Sequence, residues 1–133
     1  MSAAQLPSGV EPTLRVVPMP RDTNAAGDVF GGWIMSQVDM AGAIAAVRRA
    51  RGRVVTVAVN AFAFREPVYV SDIVSFYASV VRVGTTSLTV DVKVYAERGF
   101  YAPDPGSVVL VTDAVLTYVA IDKHRKKRAV PPA

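Results

Sequence analysis

The chain contains no cysteine, which excludes disulfide staples, thiolate metal ligands and a cysteine nucleophile. Histidine is nearly as scarce: His124 stands alone, among lysines and arginines near the C-terminus. A single histidine in that setting excludes a multi-histidine metal site and a Ser-His-Asp triad built on a core histidine. It also speaks against a dehydratase that relies on a histidine base. No Walker or dinucleotide-binding glycine pattern is present. No apolar run approaches the ~18 residues that a membrane span needs. Met1–Pro12 lacks the basic and apolar regions of a secretory signal. Together with the missing cysteines, this suits a reducing cytoplasm, the expected location.

What is present describes one ordinary domain with an uneven charge. The 133 residues can bury a core without staples, and a hydrophobic content of 51% is too high for disorder. The net charge of +4 misleads, because five Lys and Arg crowd into Lys123–Arg128. Without them, 10 basic residues face 11 acidic ones, a net charge of −1. A second cluster is Arg48, Arg49, Arg51 and Arg53. Two local patches on a near-neutral domain suit a compact anionic ligand. A short basic run without interleaved aromatics is weak support for nucleic acid, which is not an expected partner.

Along the chain, Leu14–Val17 reads as a short strand ended by Pro18 and Pro20. A turn over residues 21–32 leads into a helix expected from about Trp33 to Ala50. That helix is apolar nearly all round, so it should be surrounded by protein. Its small residues Ala41, Gly42, Ala43, Ala45 and Ala46 would let a sheet approach closely. Strands follow at Val54–Phe64 and Ile73–Arg82, and through the alternation of Leu88, Val90, Val92 and Val94. Val83–Ser87 reads as the hairpin between two of them, and Gly99–Gly106 as a loop. Val108–Ala120 is the last strand, and Ile121–Ala133 a polar tail. One buried helix beside four long strands is satisfied if an antiparallel sheet curls around it, an α+β hotdog arrangement. The edges of such a sheet need covering, so a homo-oligomer is expected. The division is a flexible N-terminus at 1–13, the hotdog domain at 14–122 and a basic tail at 123–133.

Chemistry looks assembled only in residues 22–39. A turn carrying Asp22, Asn24 and Asp28 runs into Gly31-Gly32, and two turns later Asp39 interrupts the apolar helix. A glycine-opened helix N-terminus offers backbone N–H groups to a polarised oxygen. A carboxylate in apolar surroundings is a candidate base, or else a group solvated by a gap or paired with an arginine. Asn24 is either a participant or a turn former. Ser36 has no activating base in sequence terms, and Gln37 shares the helix's polar minority.

The stretch Asp22–Asp39 closely resembles the signature of the YciA-type acyl-CoA thioesterases of the hotdog superfamily. So do Gly52–Val57, Pro67–Asp72, Val83–Ser87 and Thr112–Ala120. The similarity covers roughly residues 14–132. It implies hydrolysis of acyl-CoA to free acid and CoA, in fatty acid metabolism, with no metal or cofactor beyond the CoA of the substrate. It places Asp39 at the catalytic carboxylate, as general base or nucleophile, and Asn24 at the asparagine that positions water or carbonyl. Backbone N–H groups of Gly32 or Trp33 would form the oxyanion hole. Arg53, Gly84, Thr85, Ser87, Lys126 and Arg128 are the candidates for holding CoA. The resemblance further implies sites shared between protomers of a dimer or a hexamer, a trimer of dimers. The family often has Asn where Ala26 stands, and many relatives extend past the position of Ala133. Phe62, Phe64 and Val59 either line an acyl channel or pack the core. The alternative activity is a non-catalytic module that binds acyl-CoA.

Overall fold

The computed structural model describes residues 4–133. Residues 1–3, the start of the segment expected to be flexible, lie outside the described residues. Ala4 pairs with Val108, and the Thr13 amide donates to the Phe76 carbonyl at 2.8 Å, so residues on this segment touch the sheet. The elements are β1 (Leu14–Val16), a 3-10 turn (Pro20–Asp22), α1 (Gly31–Ala50), β2 (Val54–Phe64), β3 (Ile73–Val83), β4 (Ser87–Glu97) and β5 (Val108–Ala120). The strands form one sheet in the order β1-β3-β4-β5-β2, and every neighbouring pair is antiparallel.

Alternation drives the packing. Leu88, Val90, Val92, Val94 and Ala96 of β4 are buried, as are Ala114, Leu116, Tyr118 and Ala120 of β5. These side chains line the face that receives α1, whose Ile34, Val38, Ala41, Gly42, Ala46 and Ala50 point inward. Each large aliphatic side chain so buried contributes about 1.5–3 kcal/mol. The antiparallel sheet and its single helix are the α+β arrangement read from the sequence.

The helix begins at Gly31, two residues before the expected start, because its first residues need no intrahelical partner for their N–H groups. A larger difference concerns its surroundings. Within one chain α1 is covered on one side only, and Met35, Met40 and Val47 remain 43%, 51% and 42% exposed. A five-stranded sheet curls over one helix face and leaves the other to a neighbour. Strand β2 is similarly open: it forms an edge of the sheet and exposes Val57, Val59 and Phe64. An open 11-residue edge with apolar side chains is what an assembling protein presents.

The polar tail also differs from expectation. After Ala120 the chain turns through an Ile121–Lys127 bridge and runs back over the C-terminal end of α1. The Val130 amide donates to the Thr85 carbonyl at 2.8 Å, and Arg49 donates to the Pro131 carbonyl at 2.6 Å. Val130 packs on the Ala50, Leu88 and Ala120 cluster. The tail is a docked strap.

Candidate active site

Asp39 lies in the middle of α1, half-buried, and its carboxylate is held by the sheet. Its Oδ1 accepts from the Thr56 hydroxyl at 2.7 Å and lies 3.0 Å from the Tyr118 hydroxyl. Thr56 on β2 and Tyr118 on β5 are cross-strand partners, so one sheet position delivers both donors. The register slips between Thr56 and Ala58, a bulge of the kind that re-aims side chains beside functional sites. Burial first, then the neighbouring Asp39 charge, holds the Tyr118 phenol far above its ordinary pKa, so it remains a donor. Neither Thr56 nor Tyr118 was marked by sequence reasoning. One signal was present: a tyrosine on the inward face of a strand must satisfy its hydroxyl.

Gly42 completes this arrangement. A Cβ there would fall onto the Tyr118 hydroxyl. Gly42 lies three residues beyond Asp39, hence on nearly the same helix face. Glycine is unfavourable in a helix interior, and here close approach of the phenol requires it.

Asn24 is in a different place. Its side-chain oxygen accepts from the Ala26 and Asp28 amides at 2.9 and 3.2 Å, the turn-forming pattern of a loop asparagine. The Ala26 position thus takes part through its backbone. The Asn24 carboxamide nitrogen has no partner among the described residues, and Asn24 lines an open cleft of about 380 Å³ with Gly31, Phe64 and Arg65. Asp39 does not line that cleft. One chain therefore does not bring the two candidate catalytic residues together.

At the helix start no side chain caps α1, and its first turn holds no acidic residue. The Trp33 amide donates to the Phe30 carbonyl at 3.1 Å, whereas the Gly32 amide has no acceptor among the described residues. Of the two oxyanion candidates, Gly32 offers the open donor. A Cβ at Gly32 would meet open space, while one at Gly31 would sit 3.2 Å from the Phe64 ring. Gly31 thus serves packing, and Gly32 faces outward. Phe64 packs against Phe62 with the rings tilted by 49° and their centroids 4.9 Å apart, and is 52% exposed on the cleft, whereas Phe62 packs on the core. Ser36 donates to the Trp33 carbonyl, as a helical serine does without a base. Asp22 accepts from the Met19 amide, and His124 is exposed in the C-terminal turn.

The coenzyme candidates gather at the opposite end of α1. The Ile121 amide donates to the Arg53 carbonyl, and Arg128 Nε donates to the Ile121 carbonyl at 3.0 Å. Gly52 leaves room for the Arg128 guanidinium, whose buried Nη2 has no partner among the described residues. The strap bonds to Thr85 in the β3–β4 turn, where the Gly84 amide donates to the Ser87 carbonyl. Lys126 stands exposed on the turn closed by Asp122. Arg53, Thr85 and Arg128 thus converge, with Gly84, Ser87 and Lys126 beside them.

A family model described as thioesterase superfamily matches residues 26–100. The chain belongs to this family. It is 48% identical over 119 residues to the Escherichia coli acyl-CoA thioester hydrolase YciA, covering 89% of each chain. Among solved structures it resembles a hexameric thioesterase of Yersinia pestis, with a TM-score of 0.88 and 46% identity over 96% of this chain and 100% of that one. It also resembles a hexameric hotdog fold thioesterase of Campylobacter jejuni, with a TM-score of 0.87 and 46% identity over 94% of this chain and 93% of that one. The fold is therefore the hotdog fold, and the chain is a YciA-type thioesterase.

Proposed function

We propose that this thioesterase hydrolyses acyl-CoA to free acid and CoA at sites shared by two copies of the chain. The observation that carries the reading is Asp39: a carboxylate with one oxygen held by two hydroxyls and the other, Oδ2, unpaired among the described residues. It acts as general base on water or as nucleophile toward the carbonyl. Asn24 supplies its free carboxamide nitrogen, from a neighbouring copy, to position the water or the carbonyl. The Gly32 amide at the uncapped helix N-terminus receives the developing oxyanion. Gly32 lies seven residues before Asp39, about 10 Å along the helix and on nearly the same face.

The coenzyme fits the other end of α1. Arg53, Lys126 and Arg128 would pair with CoA phosphates, and Gly84, Thr85 and Ser87 would contact the nucleotide. From Arg51 at the helix end, Asp39 is 12 residues away, about 18 Å. That separates the charged end of the ligand from the thioester. CoA enters as part of the substrate and leaves as product, so no further cofactor has a role in this scheme. The open β2 edge and the exposed face of α1 support assembly, and a hexamer like that of the solved relatives is the form proposed.

Acyl-CoA hydrolysis followed by free-thiol release tests the reading directly. Asp39→Ala should remain folded and lose nearly all turnover. A folded Asp39→Ala with near-normal turnover would sink the assignment.

A further inference from the structure

Two hydroxyls meet at one carboxylate oxygen, and their arrangement leaves the other oxygen alone. We infer that Tyr118 is a positioning residue for the reaction: its phenol, admitted by Gly42, fixes Asp39 Oδ1 beside Thr56 and so commits Oδ2 to face the substrate. This inference rests on the reading of Asp39 given above.

Tyr118 lies within hydrogen-bond range of both the Asp39 carbonyl, at 2.9 Å, and Oδ1, at 3.0 Å. That carbonyl lies in mid-helix, where the amide four residues on already serves it. The single phenolic proton therefore goes to the charged oxygen, where a hydrogen bond is stronger. Thr56 donates to the same atom from the neighbouring strand, so rotation of the carboxylate would break two bonds at once. Tyr118 itself cannot shift, being fully buried between α1 and the sheet.

Gly42 shows that the position is built for the hydroxyl as well as the ring. Alanine is the better helix former, yet a Cβ at residue 42 would collide first with the phenolic oxygen and next with the carbon that bears it. The gap at residue 42 is therefore set by the phenolic oxygen more than by the ring.

The test uses the intact oligomer and compares kcat with KM. Tyr118→Phe keeps the ring and should lower kcat about 10–100-fold, the worth of a lost hydrogen bond to a charged group, with KM changed less than about twofold. Gly42→Ala should lower kcat at least as far and also lower Tm. Combining Gly42→Ala with Tyr118→Phe removes the closest collision, so Tm should recover in part while kcat stays at the Tyr118→Phe level. A merely structural tyrosine predicts the reverse: kcat would return with Tm. A Tyr118→Phe oligomer with wild-type kcat overturns the inference. Asp39→Asn separates the two claims. Inactive Asp39→Asn beside fully active Tyr118→Phe leaves the proposed reaction standing and removes only the role of Tyr118, whereas active Asp39→Asn removes both.

Discussion

The two halves of the site are made differently. Asp39 is organised within its own chain, by hydroxyls from two strands that reach one oxygen. Asn24 is organised only as a turn: its oxygen holds the loop, and the residue lines an open cleft that Asp39 does not line. The half that bears charge is fixed by the core, where a misplaced carboxylate would be expensive. The neutral half sits on an exposed loop and gains its meaning from a second copy. Pre-organisation is thus placed where the electrostatics demand it.

The strongest way to break this comparison is to separate the halves genetically. Asn24→Ala and Asp39→Asn should each lose about 10²–10⁴-fold in kcat. Co-expressed with two tags and purified as mixed oligomers, the two variants should regain activity. Random pairing in a two-fold arrangement leaves about a quarter of the sites intact. A site held within one chain would give no recovery, because every chain carries one lesion.

The next largest effect concerns how free the loop half is. Arg98 and Asp72 form a buried ion pair at 2.7 Å, with side chains 9% and 1% exposed. Asp72 also accepts the Tyr69 amide, and Arg98 lies over the Tyr69 ring at 4.8 Å. Tyr69 pairs with Asp28, and the Val68 carbonyl receives the Val29 amide. Arg98→Met leaves Asp72 charged and buried, so stability should fall by about 3–5 kcal/mol in chemical denaturation. Where the variant still folds, kcat should fall as well, because the Asn24 loop loses its anchor. Unchanged kcat in folded protein would show that the loop half holds itself.

The unequal construction explains how much could be read from the sequence. Val54–Phe64 and Val108–Ala120 emerge as strands because their apolar residues leave no other use for them. Asp39 and Asn24 stand out because each breaks its local pattern. Tyr118 and Thr56 do not: they lie 79 and 17 residues from Asp39 in the chain, and only the sheet register joins them. The docked strap was hidden for a similar reason. Its charged residues look like a solvated tail, while backbone groups and Val130 do the docking. Gly42 was read as part of a small-residue surface, and its particular partner depends on where β5 passes.

Lys126 separates chemistry from binding. Lys126→Ala should leave kcat unchanged and raise KM for acyl-CoA about tenfold, or about 1.4 kcal/mol. The effect should shrink at high salt, as for an exposed charge meeting a phosphate. Lowered kcat with unchanged KM would move Lys126 out of the coenzyme site.

The smallest effect probes the outer face of the sheet, away from Asp39. Asp113 bonds to Arg65 at 2.6 Å and to Lys93 at 3.1 Å. Partial burial works to raise its pKa, but hydrogen bonds from Lys93 and Arg65 prevail and hold it below the ordinary 3.8. The hydrogen bond to Asp113 is the main reason that Lys93 lies above its ordinary 10.5. A depressed carboxylate contributes stability above its unfolded pKa and loses it as pH falls through the folded value. A raised lysine contributes below its unfolded pKa and loses it as pH climbs through the folded value. The cluster should therefore stabilise the chain between roughly pH 4 and pH 10, by no more than about 1 kcal/mol because its members are partly exposed. Asp113→Asn should lower the denaturation midpoint slightly across that window, and the difference should shrink as the pH falls below the ordinary 3.8. Its kcat should stay near wild type, since this cluster makes no hydrogen bond or ion pair to Asp39 or Asn24 among the described residues; a lowered kcat would mean that Arg65, which shares the Asn24 cleft, helps to hold the site.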